Sequence, residues 1–345
     1  SYEVLDFKKT LFKDEEALDS LVSNLDIIVH LAGVNRSASE TDILDKNLFL
    51  TQQLIDSIER TNFDGKLIFA SSIKFNEGNA YGKSKKISSE LFLNASKENE
   101  FIFINLVIPN VFGPFCKPNY NSFVATFCYN SINNIKNSIE ENNQVPLIYV
   151  DNLINIIVDK LNISSSINFL VKEDLKISVQ DVNNLINDYK ETYFIKGNIP
   201  ELNTSFKTNL FNTFHSYIEP DNYFPRKHNL ISDYRGSFSE ILQASSKGQI
   251  SYSFTIPNFI RGNHFHTRKI ERFSVIEGEA LIEMRKIGTD KVFSFKLSGN
   301  KPSYVDMKIW YTHNIKNIGN TNLITLFWIN EFFIEEDSDT FFQKV

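Results

Sequence analysis

The sequence has 345 residues, of which 42% are hydrophobic and 23% are charged, a composition typical of a globular chain of about two domains. Its 36 basic and 42 acidic residues give a net charge of −6, which favours small-molecule partners and gives no reason to expect nucleic acid. The two cysteines, Cys116 and Cys128, lack metal-ligand spacing, so we expect a cytoplasmic protein without a disulfide framework. No apolar run approaches the roughly 20 residues of a membrane span, so no membrane partner is expected.

The first part of the chain alternates predicted strands with predicted helices. The β-rich runs are YEVLDF (2–7), DIIVHLAG (26–33), KLIFASS (66–72), FIFINLVIPN (101–110) and SINFLVK (166–172). Residues 42–61 and 83–99 carry apolar side chains at helical spacing. Apolar strands separated by helices are typical of a parallel sheet covered on both faces. The sequence therefore predicts an α/β, Rossmann-like parallel sheet.

The pattern changes near residue 225. Residues 215–240 contain two prolines and several turn formers without a helical period. Beyond them come only short β-rich runs separated by turn residues, which indicate an all-β sandwich or barrel. We therefore predict two domains, residues 1–225 and residues 226–345.

A serine, a tyrosine and a lysine form the first candidate site. Ser72 ends a predicted strand, Tyr81 follows nine residues later, and Lys85 lies four residues beyond it. If a helix begins near Tyr81, the phenol and the ammonium group lie on one face. A neighbouring cation would lower the pKa of the phenol towards the range useful for acid/base catalysis. Alone, this spacing is more typical of a polar surface helix, so the assignment depends on its context.

Three histidines and a glutamate form the second candidate site. His264 and His266 are two residues apart, so a strand would place both side chains on one face. Glu271 lies an odd number of residues from His266, so a turn or bulge must redirect it. With His313 on another predicted strand, these nitrogen and oxygen donors suit a divalent metal, with zinc expected. By itself, the His-x-His pair is as typical of two surface histidines as of a metal site.

Five features in order resemble the extended short-chain dehydrogenase/reductases that act on nucleotide sugars. They are VHLAGVNR (29–36), the helix position of Asn47, YGKSK (81–85), IPNVFGP (108–114) and IYVDNL (148–153). The resemblance implies that Tyr81 is the catalytic acid/base, Lys85 its electrostatic partner and Ser72 the assisting hydroxyl. Ser71 is the alternative to Ser72. Asn110 would bind the substrate, whereas Val107 stands where many relatives carry an arginine that contacts the nucleotide.

The same resemblance implies a nicotinamide cofactor, with contacts from Leu31, Ala32, Gly33, Asn47, Tyr81 and Lys85. The family's first strand and Gly-rich phosphate loop have no counterpart in this sequence, which opens where the second strand is expected. We therefore expect the sequence to be a fragment of a longer gene product; otherwise nicotinamide binding would be weak or lost. Asp6 suits NAD, whereas Lys8 and Lys9 suit NADP, so these residues leave both cofactors open.

The histidine cluster resembles the cupin family. The two histidines and Glu271 have the spacing of the first cupin motif, and His313 matches the second, in which Lys308 and Trp310 replace the usual Pro and Gly. The segments SDYRGSFSE (232–240) and RGNH (261–264) resemble sugar-nucleotide 3,5-epimerases, which use a cupin-like barrel. The resemblance implies an all-β cupin barrel with substrate contacts from Arg235 and Arg261. Its metal site would consist of His264, His266, Glu271 and His313.

Nearly the whole chain resembles the CapF-type bifunctional enzymes of capsular polysaccharide biosynthesis. This resemblance implies a homodimer whose cupin epimerises C3 of UDP-2-acetamido-2,6-dideoxy-L-arabino-hexos-4-ulose, a UDP-linked 4-keto-6-deoxy amino sugar. NADPH-dependent reduction at C4 would then give UDP-N-acetyl-6-deoxy-L-talosamine, a precursor of UDP-N-acetyl-L-fucosamine. This order follows because the C3 proton is acidic only while C4 is a ketone. Two other hypotheses stay open: a cupin 3-epimerase with an inactive reductase domain, and a non-catalytic nucleotide-sugar binding subunit.

Overall fold

The chain packs as two compact units. The computed structural model describes residues 2–5, 7–37, 39–228, 230–233, 236–239, 249–331 and 334–345. Unit 1 comprises Ser1–Phe112, Asn119–Ser122 and Gln144–Ile177, and unit 2 comprises Gly113–Pro118, Phe123–Asn143 and Ser178–Val345. The boundary near residue 225 stays a prediction; the contacts group the helices after residue 178 with the C-terminal strands.

Helices and strands follow one another along the whole described chain. The helices are α1 (Glu15–Val22), α2 (Glu40–Thr61), α3 (Ala80–Glu98), α4 (Phe123–Ile132), α5 (Val150–Lys160), α6 (Val179–Tyr189), α7 (Ser205–His215) and α8 (Pro220–Tyr223), with a π-helical turn at Lys190–Ile195. The strands up to residue 178 are β1 (Ile27–His30), β2 (Lys66–Ser72), β3 (Ile102–Ile108), β4 (Asn110–Phe112), β5 (Gln144–Tyr149), β6 (Ile167–Leu170) and β7 (Leu175–Ser178). The later strands are β8 (Arg226–Lys227), β9 (Leu230–Asp233), β10 (Gly236–Ser239), β11 (Gln249–Thr255), β12 (Ile260–Phe265), β13 (Glu271–Glu277), β14 (Glu279–Lys286), β15 (Val292–Ser298), β16 (Ser303–Met307), β17 (Tyr311–Asn317), β18 (Leu323–Ile329) and β19 (Phe341–Phe342).

Unit 1 contains the parallel sheet that the sequence predicts. Its strands pair in the order β1-β2-β3-β6, all parallel. Side chains alternate between two buried faces: Leu67 and Phe69 pack in the cluster that includes α1, α2 and α3, whereas Ile68 packs in the cluster that includes α5. Burial on both faces explains the nearly continuous apolar runs, and the predicted Rossmann-like parallel sheet is confirmed.

One predicted strand is wrong. The described residues of YEVLDF (2–7) form no strand, although their β propensity is high. A strand is stable only when a neighbouring strand satisfies its backbone groups, and β1 at the edge of the sheet pairs with β2. Propensity without a pairing partner therefore misled the prediction.

Local capping places the start of α3 at the candidate site. The Asn79 side chain accepts a hydrogen bond from the backbone N–H of Gly82 at 2.8 Å, which satisfies a donor of the first helical turn. The helix begins at Ala80, so the predicted helix start near Tyr81 is confirmed. Further along, Thr51 of α2 and Ser88 of α3 are joined by a buried hydrogen bond of 2.7 Å between their hydroxyls. The cap and this contact fix the register of α3 beside α2.

Unit 2 contains two five-stranded sheets. They have the orders β11-β18-β13-β16-β8 and β15-β14-β17-β12-β19, and the registered pairs are antiparallel. The alternation of buried and exposed residues along β15 matches the period of a half-buried strand. The β-rich C-terminal region that the sequence predicts is confirmed, and its described strands are antiparallel; the cupin barrel stays a prediction.

A buried polar network joins the helices of unit 2 to its sheets. The Tyr193 hydroxyl lies 2.8 Å from His215 Nε2 and also donates to the Asp306 carboxylate. Arg272 donates to both oxygens of Asp306, at 2.8 and 3.0 Å, and to the carbonyl of Gly197 at 2.6 Å. Because breaking a buried ion pair leaves an uncompensated charge, this network ties the helical segment strongly to β13 and β16.

Within the described ranges, no helix combines the length and the apolar character that a membrane span requires.

The core of unit 1 gives a stability prediction. Phe92 of α3 is fully buried and its ring packs near Phe69 and Phe103. Phe92→Ala should lower the free energy of unfolding by about 3–5 kcal/mol, because it leaves a cavity. Leu93→Ala, at a position that is 41% exposed, should cost less than about 1 kcal/mol. Urea unfolding followed by circular dichroism measures both, and equal losses would contradict the assignment of the core.

Two candidate active-site clusters

The first cluster lies where β2 ends and α3 begins. Ser72 is the last residue of β2 and Tyr81 the second residue of α3, and Ser72 lies close enough to the phenol to lower its pKa. One helical turn later, Lys85 Nζ lies 5.8 Å from the centroid of the Tyr81 ring and donates to the carbonyl of Ala70 at 2.7 Å. The structure therefore brings together the three residues that the sequence singled out.

Burial controls the electrostatics of this cluster. It raises the pKa of Tyr81, which Ser72 only partly opposes. Our expectation of a lowered phenol pKa is therefore wrong, because desolvation of the phenolate is the larger effect. Burial also lowers the pKa of Lys85 to about 8, and burial together with Lys85 lowers that of His30 to about 3.

The predicted cofactor segment lies against the same groups. Asn47 accepts from the Val34 N–H at 2.6 Å and donates to the Val34 carbonyl at 2.7 Å, which fixes the chain just beyond Gly33. A Cβ atom on Gly33 would lie 3.4 Å from Asn47 Oδ1 and 3.6 Å from Lys85 Nζ. Leu31 is 63% exposed, whereas Ala32 packs against the core. Gly33, just beyond the end of β1, therefore lies beside Asn47 and Lys85.

The three predicted substrate residues have different outcomes. Asn110 lies on β4, half-buried, and donates to the carbonyl of Pro146 at 3.3 Å. Arg261 lies on β12, exposed, and donates to the Thr255 hydroxyl at 3.1 Å and to the carbonyl of Phe254 at 2.9 Å. Arg235 lies outside the described residues.

The second cluster gathers ligand atoms from both sheets of unit 2. His264 and His313 come from β12 and β17 of one sheet, His266 directly follows β12, and Glu271 begins β13 of the other sheet. One ligand atom from each residue lies within 4.8 Å of the others. Glu271 Oε2 is 3.1 Å from His313 Nε2 and 3.3 Å from His266 Nε2. The predicted set of four residues therefore converges on one point.

The four side chains have coupled electrostatics. Burial lowers the pKa of His264 to about 4, with a further contribution from the other two imidazoles. Burial also opposes ionisation of His266 and Glu271. The contact between the two side chains outweighs this effect, so the pKa of His266 is raised and that of Glu271 is lowered. A carboxylate beside a neutral His264 is the state in which such side chains can bind a cation.

Sequence reasoning missed Asp339. Its carboxylate accepts hydrogen bonds from the backbone of residues 267–269, and its carbonyl oxygen lies 2.6 Å from His266 Nδ1. It is 7% exposed and more than 70 residues from the histidine pair along the chain. The segment DSDT around it is typical of a polar turn, so no local pattern distinguishes this aspartate from its neighbours.

Two family models match this chain and define the class of protein to which it belongs. Residues 3–162 match the family described as NAD dependent epimerase/dehydratase, and residues 231–341 match the Polysaccharide biosynthesis C-terminal domain. The chain therefore joins an epimerase/dehydratase-type part to a polysaccharide-biosynthesis part, each of which carries one of the two clusters.

Full-length relatives define the family more narrowly. The chain is 30% identical to UDP-2-acetamido-2,6-beta-L-arabino-hexul-4-ose reductase of Pseudomonas aeruginosa, over 94% of this chain and 87% of the relative. It is 32% identical to the crystal structure of the capsular polysaccharide assembling protein CapF from Staphylococcus aureus, with a TM-score of 0.59 over 96% of this chain and 90% of that one. A structure of CapF with the inhibitor 3-isopropenyl-tropolone is 31% identical, with a TM-score of 0.55 over the same shares. The chain belongs to the CapF family, which confirms the resemblance found from the sequence.

Buried Lys85 gives a pH prediction. Its pKa in the folded chain is lowered from 10.5 to about 8. Between these values the unfolded chain binds the proton more strongly, so this lysine makes the free energy of unfolding rise with pH across that window. Lys85→Met should remove a rise of roughly 3 kcal/mol, whereas Lys83→Met at an exposed position of the same helix should not. Urea unfolding at several pH values without nucleotide tests this; parallel pH profiles for the parent and Lys85→Met would contradict it.

Proposed function

We propose that this chain is a bifunctional nucleotide-sugar enzyme of capsular polysaccharide synthesis. It epimerises C3 of UDP-2-acetamido-2,6-dideoxy-L-arabino-hexos-4-ulose and then reduces C4 with NADPH, giving UDP-N-acetyl-6-deoxy-L-talosamine. The observation that carries the proposal is the presence on one chain of two chemically different buried clusters, one with a phenol and an amine and one with three imidazoles and a carboxylate. The name of the Pseudomonas aeruginosa relative, a reductase of a UDP-linked hexulose, supports this substrate class.

The epimerase step is assigned to unit 2, whose two sheets we propose to form a cupin barrel around the second cluster. Its residues fit a divalent cation, with Zn²⁺ preferred, because they offer three imidazole nitrogens and one carboxylate oxygen within 4.8 Å. His266 Nε2 is buried and makes no well-aligned hydrogen bond within the described part of the chain, as expected of a ligand atom. When bound, the cation would supply Lewis-acid stabilisation of the enolate oxygen.

The chemistry of epimerisation sets the order of the two steps. A base removes the C3 proton, the electron pair delocalises onto the C4 oxygen, and a proton returns to the opposite face. This exchange requires the C4 ketone, so it precedes the reduction. We propose that Arg261 binds the nucleotide sugar. Arg235, which lies outside the described residues, is proposed to do the same.

The reductase step is assigned to the first cluster. Gly33, where an added Cβ would make only ordinary van der Waals contact with Asn47 and Lys85, is proposed to lie against the cofactor at the end of β1, together with Leu31 and Ala32. A nicotinamide would supply a hydride to C4 of the sugar. Tyr81 would then donate its proton to the alkoxide oxygen, for which its raised pKa is suitable because the group stays protonated until the alkoxide forms.

The residues around Tyr81 orient the reaction. Ser72 lies close enough to Tyr81 to influence its pKa and would hold the C4 oxygen. Lys85 lies beside the same ring and would stabilise the phenolate left after proton transfer. Asn110 is proposed as a substrate contact.

The homodimer implied by the family resemblance stays a prediction. Analytical ultracentrifugation can measure the oligomeric state.

One experiment separates the proposed function from its alternatives. The 4-keto sugar nucleotide is incubated with the full chain in D₂O, with and without NADPH, while C3 deuteration and NADPH absorbance are followed. The proposal expects deuteration without NADPH and oxidation of NADPH when it is added. Deuteration without oxidation would indicate a 3-epimerase only, and ligand binding with neither reaction would indicate a non-catalytic binding subunit.

Substitutions in the first cluster test the reductase assignment. Tyr81→Phe should lower kcat for NADPH oxidation by about 10²- to 10⁴-fold, because the proton donor is lost, while C3 deuteration should persist. Ser72→Ala should also slow the oxidation, whereas Ser71→Ala, at the neighbouring alternative position, should have a much smaller effect. Steady-state kinetics of the three variants measure this, and a Tyr81→Phe enzyme with the parent rate would remove Tyr81 from its role.

Substitutions in the second cluster test the epimerase assignment. The His264→Ala, His266→Ala double variant should lose bound zinc and C3 deuteration together, because two of the four donors are removed. His228→Ala, which removes a histidine that lies near Ser274, is the matched control and should retain both. Metal analysis and mass spectrometry of the product give the readouts; full deuteration by the double variant would refute a metal role in epimerisation.

A further inference from the structure

The turn between His266 and Glu271 is held by a carboxylate from the end of the chain. Asp339 accepts hydrogen bonds from three successive backbone N–H groups, those of Thr267, Arg268 and Lys269, at 3.1, 3.0 and 3.1 Å. The Thr267 hydroxyl donates to the same carboxylate at 2.7 Å. One side chain thus accepts from three of the four backbone N–H groups of the turn, and Asn330 Oδ1 accepts from that of Ile270 at 3.0 Å.

Successive N–H groups that converge on one point form a concave anion-binding turn, and here the chain's own carboxylate fills it. Asp339 is 7% exposed and Lys269 is buried, whereas Thr267 and Arg268 are half-buried. Removal of the carboxylate would leave three adjacent N–H groups without their acceptor, which is costly where water cannot replace it. The conformation of residues 267–269 therefore depends on Asp339.

This turn decides where Glu271 lies. His266 follows β12 in one sheet, whereas Glu271 begins β13 in the other. The chain must pass between the two sheets within the intervening residues for the carboxylate to come 3.3 Å from His266 Nε2. A relaxed turn would move ligands that now converge.

The backbone carbonyl of the same aspartate orients His266. It lies 2.6 Å from His266 Nδ1, and a carbonyl oxygen can only accept, so Nδ1 carries the proton. In the neutral imidazole the lone pair is then on Nε2, the atom that faces Glu271. A hydrogen bond from the far ring nitrogen to a backbone carbonyl is how proteins commonly fix the tautomer and ring orientation of a metal-binding histidine.

Contacts on both sides hold Asp339 in place. On its N-terminal side, the Lys269 Nζ atom donates to the backbone carbonyl of Ser338 at 2.7 Å, and Arg268 donates to the backbone carbonyl of Asp337 at 3.1 Å. On its C-terminal side, β19 pairs with β12 in a register that sets residue 342 opposite His264. Residues 337–342, which we term the C-terminal strap, therefore run along the cluster and are anchored at each end.

We propose that Asp339 is the positioning residue of the divalent-cation site, holding the turn at 267–269 with its carboxylate and the His266 tautomer with its carbonyl. The inference rests on the proposed metal centre and adds a residue to it that does not itself bind the cation. Without its carboxylate, the four donors remain in the chain but no longer converge.

Zinc affinity of the full chain tests the proposal. Zn²⁺ is titrated against a chromophoric chelator for the parent, Asp339→Ala, Asp339→Asn and Asp337→Ala. Asp339→Ala should weaken binding by about 10- to 100-fold, and Asp339→Asn by less, because its amide retains one acceptor oxygen. Asp337→Ala removes an exposed carboxylate from the same strap and should change affinity by less than about fivefold. An unchanged affinity in Asp339→Ala would overturn the proposal, provided that near-ultraviolet circular dichroism shows a folded chain.

Hydrogen exchange of the metal-free chain gives a readout that does not depend on zinc. The amides of residues 267–269 should exchange faster in Asp339→Ala than in the parent, while those of Asp337→Ala should match the parent. Unchanged protection in Asp339→Ala would overturn the proposal. If the parent itself bound no zinc, the proposed metal centre would fail, and exchange would still decide whether Asp339 holds this turn.

Discussion

The cluster in unit 2 exists because the chain changes sheets between His266 and Glu271. Even spacing along a strand brings His264 and His266 to one face, but it cannot bring a residue five positions further on to the same point. The reversal at residues 267–269 does so, and it also makes the cluster a joint between two sheets. The geometry of the site therefore depends on how the two sheets of the unit pack together.

Burial has opposite uses in the two clusters. In unit 1 it keeps Tyr81 protonated and lowers the pKa of Lys85 to about 8, so that the amine is still mostly charged at neutral pH. In unit 2 burial keeps His264 neutral, while Glu271 stays ionised through its contacts with imidazoles. Exclusion of water thus favours a protonated phenol in one cluster, and a neutral imidazole beside a carboxylate in the other.

Much of this arrangement follows from local patterns. The end of β2 at Ser72, the start of α3 beside Tyr81 and the convergence of the four cluster residues depend on periodicity and spacing, which the sequence displays. The strand expected at residues 2–7 failed because pairing is not a local property. Asp339 and the pKa of Tyr81 were not foreseen for a related reason: each depends on what surrounds the side chain after folding.

The buried network of Tyr193, His215, Arg272 and Asp306 affects how the protein can be divided. A fragment cut at the change in composition near residue 225 would separate Tyr193 and His215 from Arg272 and Asp306, and would leave an ion pair of the β sheets facing water or empty space. A fragment that starts near residue 178 keeps both halves of the network, although it omits the earlier segments of unit 2. The buried charges of this chain, rather than the points where its strands begin, therefore decide where it can be divided.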